Sequence, residues 1–294
     1  MLAVVGLVCS AAAGVPSVGS TTAASEARIV VVAFSSRVLG REKRFIVVRP
    51  ANETASGGAV LFLLHGRGRN YRSLIDLEKT KTALLAAPFY VVLPDGEDGW
   101  YINSPVIAAD RYNDYIEEVV RQAESRYPLS REKRRRAIAG WSMGGYGAVR
   151  FAETHRGEFG VVASIIGLLD FPQPEDLPEG QNYRVPADRF GSDPTMWREL
   201  NPSTFAEVLK GAQVLVVTAT KAFDRTMNER FYGRVLAAGV ACQFELLEGT
   251  HTIDVVQEAL PVVLRFAAQH IVPTDTTVLP MPAPEYRDLG DRLD

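Results

Sequence analysis

Ala137-Ile138-Ala139-Gly140-Trp141-Ser142-Met143-Gly144-Gly145 is the stretch that decides how this chain folds. A β-prone run from Arg135 to Ala139 ends abruptly in Gly-x-Ser-x-Gly, and apolar residues at helical spacing follow, among them Val149, Phe151 and Ala152. Strand, sharp turn and helix in that order lift a serine hydroxyl to the top of a sheet. The turn strains Ser142, and Gly140 and Gly144 lack side chains because strand and helix backbones pass close beside it. The N-terminus of the new helix aims amide donors at any anion forming there. The bland alternative is a Gly-rich turn with an idle serine, so the rest of the chain must supply partners.

Outward from this turn, apolar runs alternate with helix-spaced ones. Arg28 to Phe34 and Phe45 to Val48, separated by Gly40, read as an antiparallel hairpin. Ala59 to Leu64, Phe89 to Leu93, Val161 to Ile166, Gln213 to Ala219 and Cys242 to Leu247 read as further strands, mostly covered on both faces. Between them, helices are expected over Tyr71 to Ala86 and over Tyr112, Tyr115, Ile116, Val119, Val120, Ala123 and Tyr127, stopped by Pro128. Another carries Met227, Phe231, Val235 and Ala238, closed by Gly239; a last one runs from Ile253 to Ala268, kinked or split by Pro261. The fold class is therefore α/β: a mostly parallel central sheet with an antiparallel N-terminal edge and helices on both faces. Residues 170–211, rich in Pro, Gly and charge, read as an irregular excursion on the pocket side, and residues 26–271 form one catalytic domain.

Composition narrows the classes. The 294 residues are 47% hydrophobic, enough for one large domain with a substantial core or two small ones, and 32 basic against 35 acidic side chains exert no pull toward nucleic acid or a membrane surface. The dense basic run Arg131 to Arg136 reads as a solvated loop. With Cys9 and Cys242 as the only cysteines, there is no disulfide framework and no zinc-ligand spacing; Cys242 reads as a small buried hydrophobe. Residues 1–25 carry no charged side chain, and apolar Leu2 to Val8 followed by small residues reads as an export signal with cleavage near Ala13 or Ala24, although a basic start is missing. Without such a signal the protein stays in the cytoplasm. Residues 272–294, with four prolines and no periodicity, read as a disordered tail. No later run reaches transmembrane length. Oligomeric state has no signature in the sequence.

In an open α/β sheet, ligands gather at the carboxyl ends of the strands. That rule brings together the loops after Leu64, Leu93, Ala139 and Ala219, with His251 beyond a fifth. A serine needs a base within hydrogen-bond reach. Of the four histidines, His65 is suited to shaping its own loop, His155 is remote at the end of the Ser142 helix, and His270 adjoins the tail. His251 alone occupies a Gly-flanked loop directly after a strand. The base in turn needs a carboxylate to fix its tautomer. Asp224, after the penultimate strand, is the first choice, and Asp170 the runner-up; Asp254 is too close to His251 in sequence and begins the last helix. The order Ser142, Asp224, His251 is that of the α/β-hydrolases. Oxyanion donors are expected from the backbone N–H groups of Met143 and of Arg67, whose turn holds Gly66 and Gly68. The Arg67 guanidinium lies either at the pocket rim or idle in solvent.

These pieces together resemble the putative-esterase (esterase D-like) branch of the α/β-hydrolases. The matching residues are His65-Gly66-Arg67-Gly68, Pro94-Asp95-Gly96 with Trp100 to Pro105, Gly140 to Ala148, and Gly249-Thr250-His251 with Leu260-Pro261. The family includes S-formylglutathione hydrolases, feruloyl and acetyl-xylan esterases, and secreted mycolyltransferases. The resemblance implies a Ser142-Asp224-His251 triad, Arg67 and Met143 as oxyanion amides, and no cofactor or metal. Thr252 and Ile253 stand where relatives often carry Asp and Trp, and the cysteine common near the oxyanion turn of S-formylglutathione hydrolases is absent. Trp100 and Tyr101 either contact substrate beside the pocket, with Trp141, or cover the edge of the core beneath the loop. The expected activity is hydrolysis of a small-molecule or saccharide carboxylic ester. Acyl transfer to a sugar or lipid hydroxyl and a non-catalytic secreted binding protein are the rivals.

Overall fold

The apolar runs become eight strands: β1 (Ile29–Ser36), β2 (Arg41–Val48), β3 (Val60–Leu64), β4 (Tyr90–Pro94), β5 (Arg136–Trp141), β6 (Val161–Ile165), β7 (Gln213–Ala219) and β8 (Ala241–Leu247). This is a computed structural model, and it describes residues 28–173 and 184–272. The expected leader, nearly all of the tail and part of the 170–211 excursion lie outside the described residues. The strands form one sheet in the order β1-β2-β4-β3-β5-β6-β7-β8. β1 and β2 pair antiparallel, as do β2 and β4, whereas every pairing from β4 through β3 to β8 is parallel. β3 and β5 run in register with Leu64 opposite Gly140, so the turns leaving the two strands emerge side by side.

The longer helices are α1 (Glu78–Leu85), α2 (Tyr112–Glu124), α3 (Met143–Thr154), α6 (Arg225–Ala237) and α7 (Ile253–Ile271); the excursion holds the short α4 (Ala187–Phe190) and α5 (Pro194–Leu200). The sheet has two apolar faces, and the helices divide between them. α2, α3 and α6 pack on the face carrying Phe45, Phe62, Ile138 and Val216. α1 and α7 pack on the face carrying Leu61, Leu63, Ala139 and Val217. α2 shows the expected pattern: Tyr115, Ile116 and Val119 are wholly buried, and burial of a side chain of this kind stabilises by about 1.5–3 kcal/mol. β3 and β5 are covered on both faces and buried along their whole length.

Three expectations need correction, and one alternative is decided. The helix anticipated from Tyr71 is confined to Glu78–Leu85. Upstream, Asn70 and Ser73 side chains bond local backbone amides (Arg72 N–H to Asn70 Oδ1 at 2.8 Å, Asn70 N–H to Ser73 Oγ at 3.0 Å) and hold turns instead. Pro261 does not split the last helix, which continues through it. The basic run before β5 is not all solvated: Arg136 is 3% exposed, pairs with Glu124 and lies over the Phe62 and Phe159 rings. β8 is an edge strand with no residue fully buried, so Cys242 is only partly covered, and that burial pushes its thiol up to about 12.

Lys43 on β2 is 2% exposed and pairs with Glu97 at 2.7 Å, beneath the Tyr112 and Tyr115 rings. Glu97 also takes bonds from Tyr112 and Arg41; although burial opposes ionisation, these partners together hold its carboxyl down to about 2. Its folded value is below the unfolded one, so its stabilisation is complete above about pH 4.5 and vanishes as pH falls toward about 2. Glu97→Gln should therefore be less stable than the parent at pH 7, with the difference closing between those two values. Urea unfolding as a function of pH checks this.

Candidate active site

Ser142 joins β5 to α3 at φ 53°, ψ −121°, a conformation L residues rarely hold and one that costs about 1–3 kcal/mol. Its own N–H donates to the Ile165 carbonyl at 2.9 Å, tying the turn to β6. The glycines do what the spacing demands. A Cβ on Gly140 would lie 2.2 Å from the Gly144 carbonyl oxygen, and one on Gly144 would lie 2.2 Å from that of Leu64 and 2.6 Å from that of His65. All these neighbours are backbone and cannot step aside. Gly144→Ala is accordingly expected to destabilise by about 3 kcal/mol or to prevent folding, measured as the urea midpoint of purified protein or its loss from the soluble fraction.

His251, in the loop after β8, bridges Ser142 and Asp224. Its Nε2 is 2.8 Å from Ser142 Oγ and its Nδ1 2.6 Å from Asp224 Oδ1. A carboxylate only accepts, so Nδ1 carries the proton and Nε2 is left to accept from the serine hydroxyl. Ser142 and His251 are partly exposed, whereas Asp224 is wholly buried. A buried carboxylate needs donors on both oxygens. Asp224 Oδ2 receives Thr218 Oγ1 and Asn228 Nδ2, each at 2.8 Å. Asn228 also donates to the Gly167 carbonyl at 2.7 Å, joining the acid's loop to the end of β6. Asp170, the alternative acid, lies elsewhere: it is buried against Arg230 at 2.9 Å, Arg234 and Asn201.

Three neighbours escaped sequence reasoning. Asn228 follows Asp224 by one helical turn at the start of α6, so its spacing could have revealed it. Thr218 on β7 and Phe223, whose ring centroid lies 4.4 Å from that of His251, carry no such signal.

The first intrahelical bond of α3 runs from Tyr146 N–H to the Ser142 carbonyl at 3.1 Å, so the amides of Met143, Gly144 and Gly145 precede the helical ladder. The turn after β3 lies beside the serine: a Cβ on Gly66 would lie 3.3 Å from Ser142 Cβ. Arg67, next in the chain, is exposed. Of the two candidate oxyanion donors, Met143 directly follows the serine, and Arg67 follows Gly66, which lies beside it.

Of the two alternatives for Trp100 and Tyr101, their burial matches cover of the core edge rather than contact with substrate. Trp100 is 1% and Tyr101 0% exposed. Trp100 packs among Tyr146, Phe171 and Phe190, and Tyr101 fills the space that Gly96 and Gly147 leave open. Trp141, also buried, lies directly under Gly66. All three are buried beneath the loops of the site.

Among the described residues no helix is long and apolar enough to cross a membrane. The sequence profile of the family described as "Putative esterase" matches residues 36–240. That span takes in Ser142 and Asp224 and ends before His251. Esterase Rv1288 of Mycobacterium tuberculosis is 28% identical over 151 residues, which is 49% of this chain and 33% of that protein. The chain thus matches only about a third of that relative's length. Among solved structures, Staphylococcus aureus FphF, a fluorophosphonate-binding serine hydrolase, superposes with TM-score 0.70 at 21% identity, covering 81% of this chain and 97% of its own. A ferulic acid esterase gives TM-score 0.68 at 22% identity, with 82% and 97% covered. At these identities the superpositions establish the α/β-hydrolase fold. With more than half of its length matched by the family profile, the chain belongs to the putative esterase family.

Proposed function

We propose that this protein is a serine hydrolase of carboxylic esters that works through an acyl-enzyme on Ser142. The observation that carries the reading is the continuous line from Asp224 through His251 to Ser142, with hydrogen bonds of 2.6 and 2.8 Å. Ser142 Oγ attacks the ester carbonyl carbon while its proton passes to His251 Nε2. The carbonyl oxygen becomes an oxyanion facing the Met143 and Arg67 amides. Collapse breaks the bond to the alcohol oxygen, which leaves with the proton from Nε2. Water then attacks the acyl carbon and gives a proton to Nε2, and as the acyl–Oγ bond breaks Nε2 returns that proton to Ser142 Oγ and the acid leaves. Buried Asp224 stabilises the imidazolium at both stages.

Steady-state hydrolysis across p-nitrophenyl esters of increasing acyl length, feruloyl esters and acetylated sugars tests this. Turnover of at least one small ester is expected; none on any would contradict it. Transfer to a sugar or lipid hydroxyl passes through the same acyl-enzyme, and product analysis with an added alcohol acceptor tells it from hydrolysis.

A further inference from the structure

His65 directly follows β3, at the start of the turn that lies against Ser142, and the chemistry above gives it no task. It is 2% exposed. Both ring nitrogens have partners whose role is fixed. Nε2 is 2.9 Å from the Gly96 amide, which only donates, with the Asp95 carboxylate 3.6 Å away, and Nδ1 is 2.8 Å from the Gly66 carbonyl oxygen, which only accepts. Nδ1 therefore carries a proton and donates it to the Gly66 carbonyl. Its backbone is fixed as well, because the Tyr101 hydroxyl donates to the His65 carbonyl at 3.0 Å. Tyr101 has no room to move: a Cβ on Gly96 or Gly147 would meet its ring at 2.3 or 2.4 Å.

The Gly66 carbonyl and the Arg67 N–H belong to one planar trans peptide, so they point in opposite directions. The carbonyl receives His65 Nδ1–H and, at 3.2 Å, the Arg69 N–H, both from within the turn. With that oxygen bonded to the buried His65 ring, the Arg67 N–H points away from the ring, on a turn whose Gly66 lies beside Ser142. We propose that His65 is a positioning residue for ester hydrolysis: its Nδ1–H locks the Gly66–Arg67 peptide plane and so aims the Arg67 amide at the oxyanion. The inference rests on Ser142 being the acylated nucleophile. Removing an oxyanion donor outright lowers kcat about 100- to 1,000-fold, and misaiming one forfeits a part of that.

Two variants separate the two bonds of the ring. His65→Asn places an amide N–H near the position of Nδ1 and keeps the bond to Gly66 while giving up Gly96. His65→Gln places its carbonyl oxygen near Nε2 and keeps Gly96 while giving up Gly66. For both we would measure kcat and KM on p-nitrophenyl acetate, inhibition by a trifluoromethyl ketone that forms a reversible tetrahedral adduct with serine, and the melting temperature. His65→Gln is expected to lose about 10- to 100-fold in kcat with KM changed less than about 3-fold, and to bind the ketone more weakly by the same factor as kcat. His65→Asn should recover most of kcat and ketone affinity even where its melting temperature falls. Wild-type kcat in His65→Gln, or losses in both variants that simply follow their melting temperatures, would overturn the proposal. A wild-type protein that neither hydrolyses esters nor binds the ketone would instead overturn the reading of Ser142, and the inference with it.

Discussion

Ser142→Ala is expected to lower kcat/KM for p-nitrophenyl acetate by roughly 10,000-fold or more, with the melting temperature and far-UV spectrum close to those of the parent. The loss is large because the hydroxyl is the only atom that forms the covalent intermediate. Fold and stability survive because the turn is held by other contacts: the Ser142 N–H on Ile165 and the glycine backbones packed on Leu64 and His65. Alanine bears the same backbone strain as serine at φ 53°, so the substitution neither relieves nor adds it. Activity retained near wild-type level would end the acyl-enzyme account.

Asp224→Asn is the second large effect, a fall in kcat of about 10,000-fold by analogy with the serine-protease acid. The local hydrogen bonds explain why. Thr218 and Asn228 donate to Oδ2 and will hold the asparagine carbonyl oxygen there, which turns the amide NH₂ toward His251. The imidazole must then offer Nδ1 as acceptor and carry its proton on Nε2, where it can no longer take one from Ser142. Because the buried cluster stays bonded, the variant should fold. Asp170→Asn provides the contrast: its carboxylate pairs with Arg230 and Arg234, so that variant is expected to lower the melting temperature and leave kcat within about 3-fold. An inverted outcome, with Asp170→Asn inactive and Asp224→Asn active, would transfer the acid's role.

What could be read from the sequence follows from what backbone contact and periodicity dictate. Gly140 and Gly144 betrayed the turn because no side chain fits between β5, α3 and β3. The parallel sheet was legible because strands covered on both faces are almost continuously apolar. Chain order and loop position led to His251 and Asp224, which the structure joins to Ser142 by hydrogen bonds. The loop after β4 was not legible in the same way. Trp100 and Tyr101 look like pocket residues beside Pro94-Asp95-Gly96, and only the fold reveals that both adopt positive φ and turn inward. Thr218 was hidden for a related reason: one polar residue in an apolar strand has no meaning until the acid it serves stands beside it. Arg136 escaped because the acid that neutralises it, Glu124, comes from another element.

The account stands on Ser142 being activated by His251, and covalent labelling tests that step without choosing a substrate. Wild-type protein treated with a fluorophosphonate should show a single adduct, mapped by peptide mass spectrometry to Ser142, and His251→Ala should react far more slowly. An adduct on another residue, no adduct at all, or labelling of Ser142 at an unchanged rate in His251→Ala would contradict it.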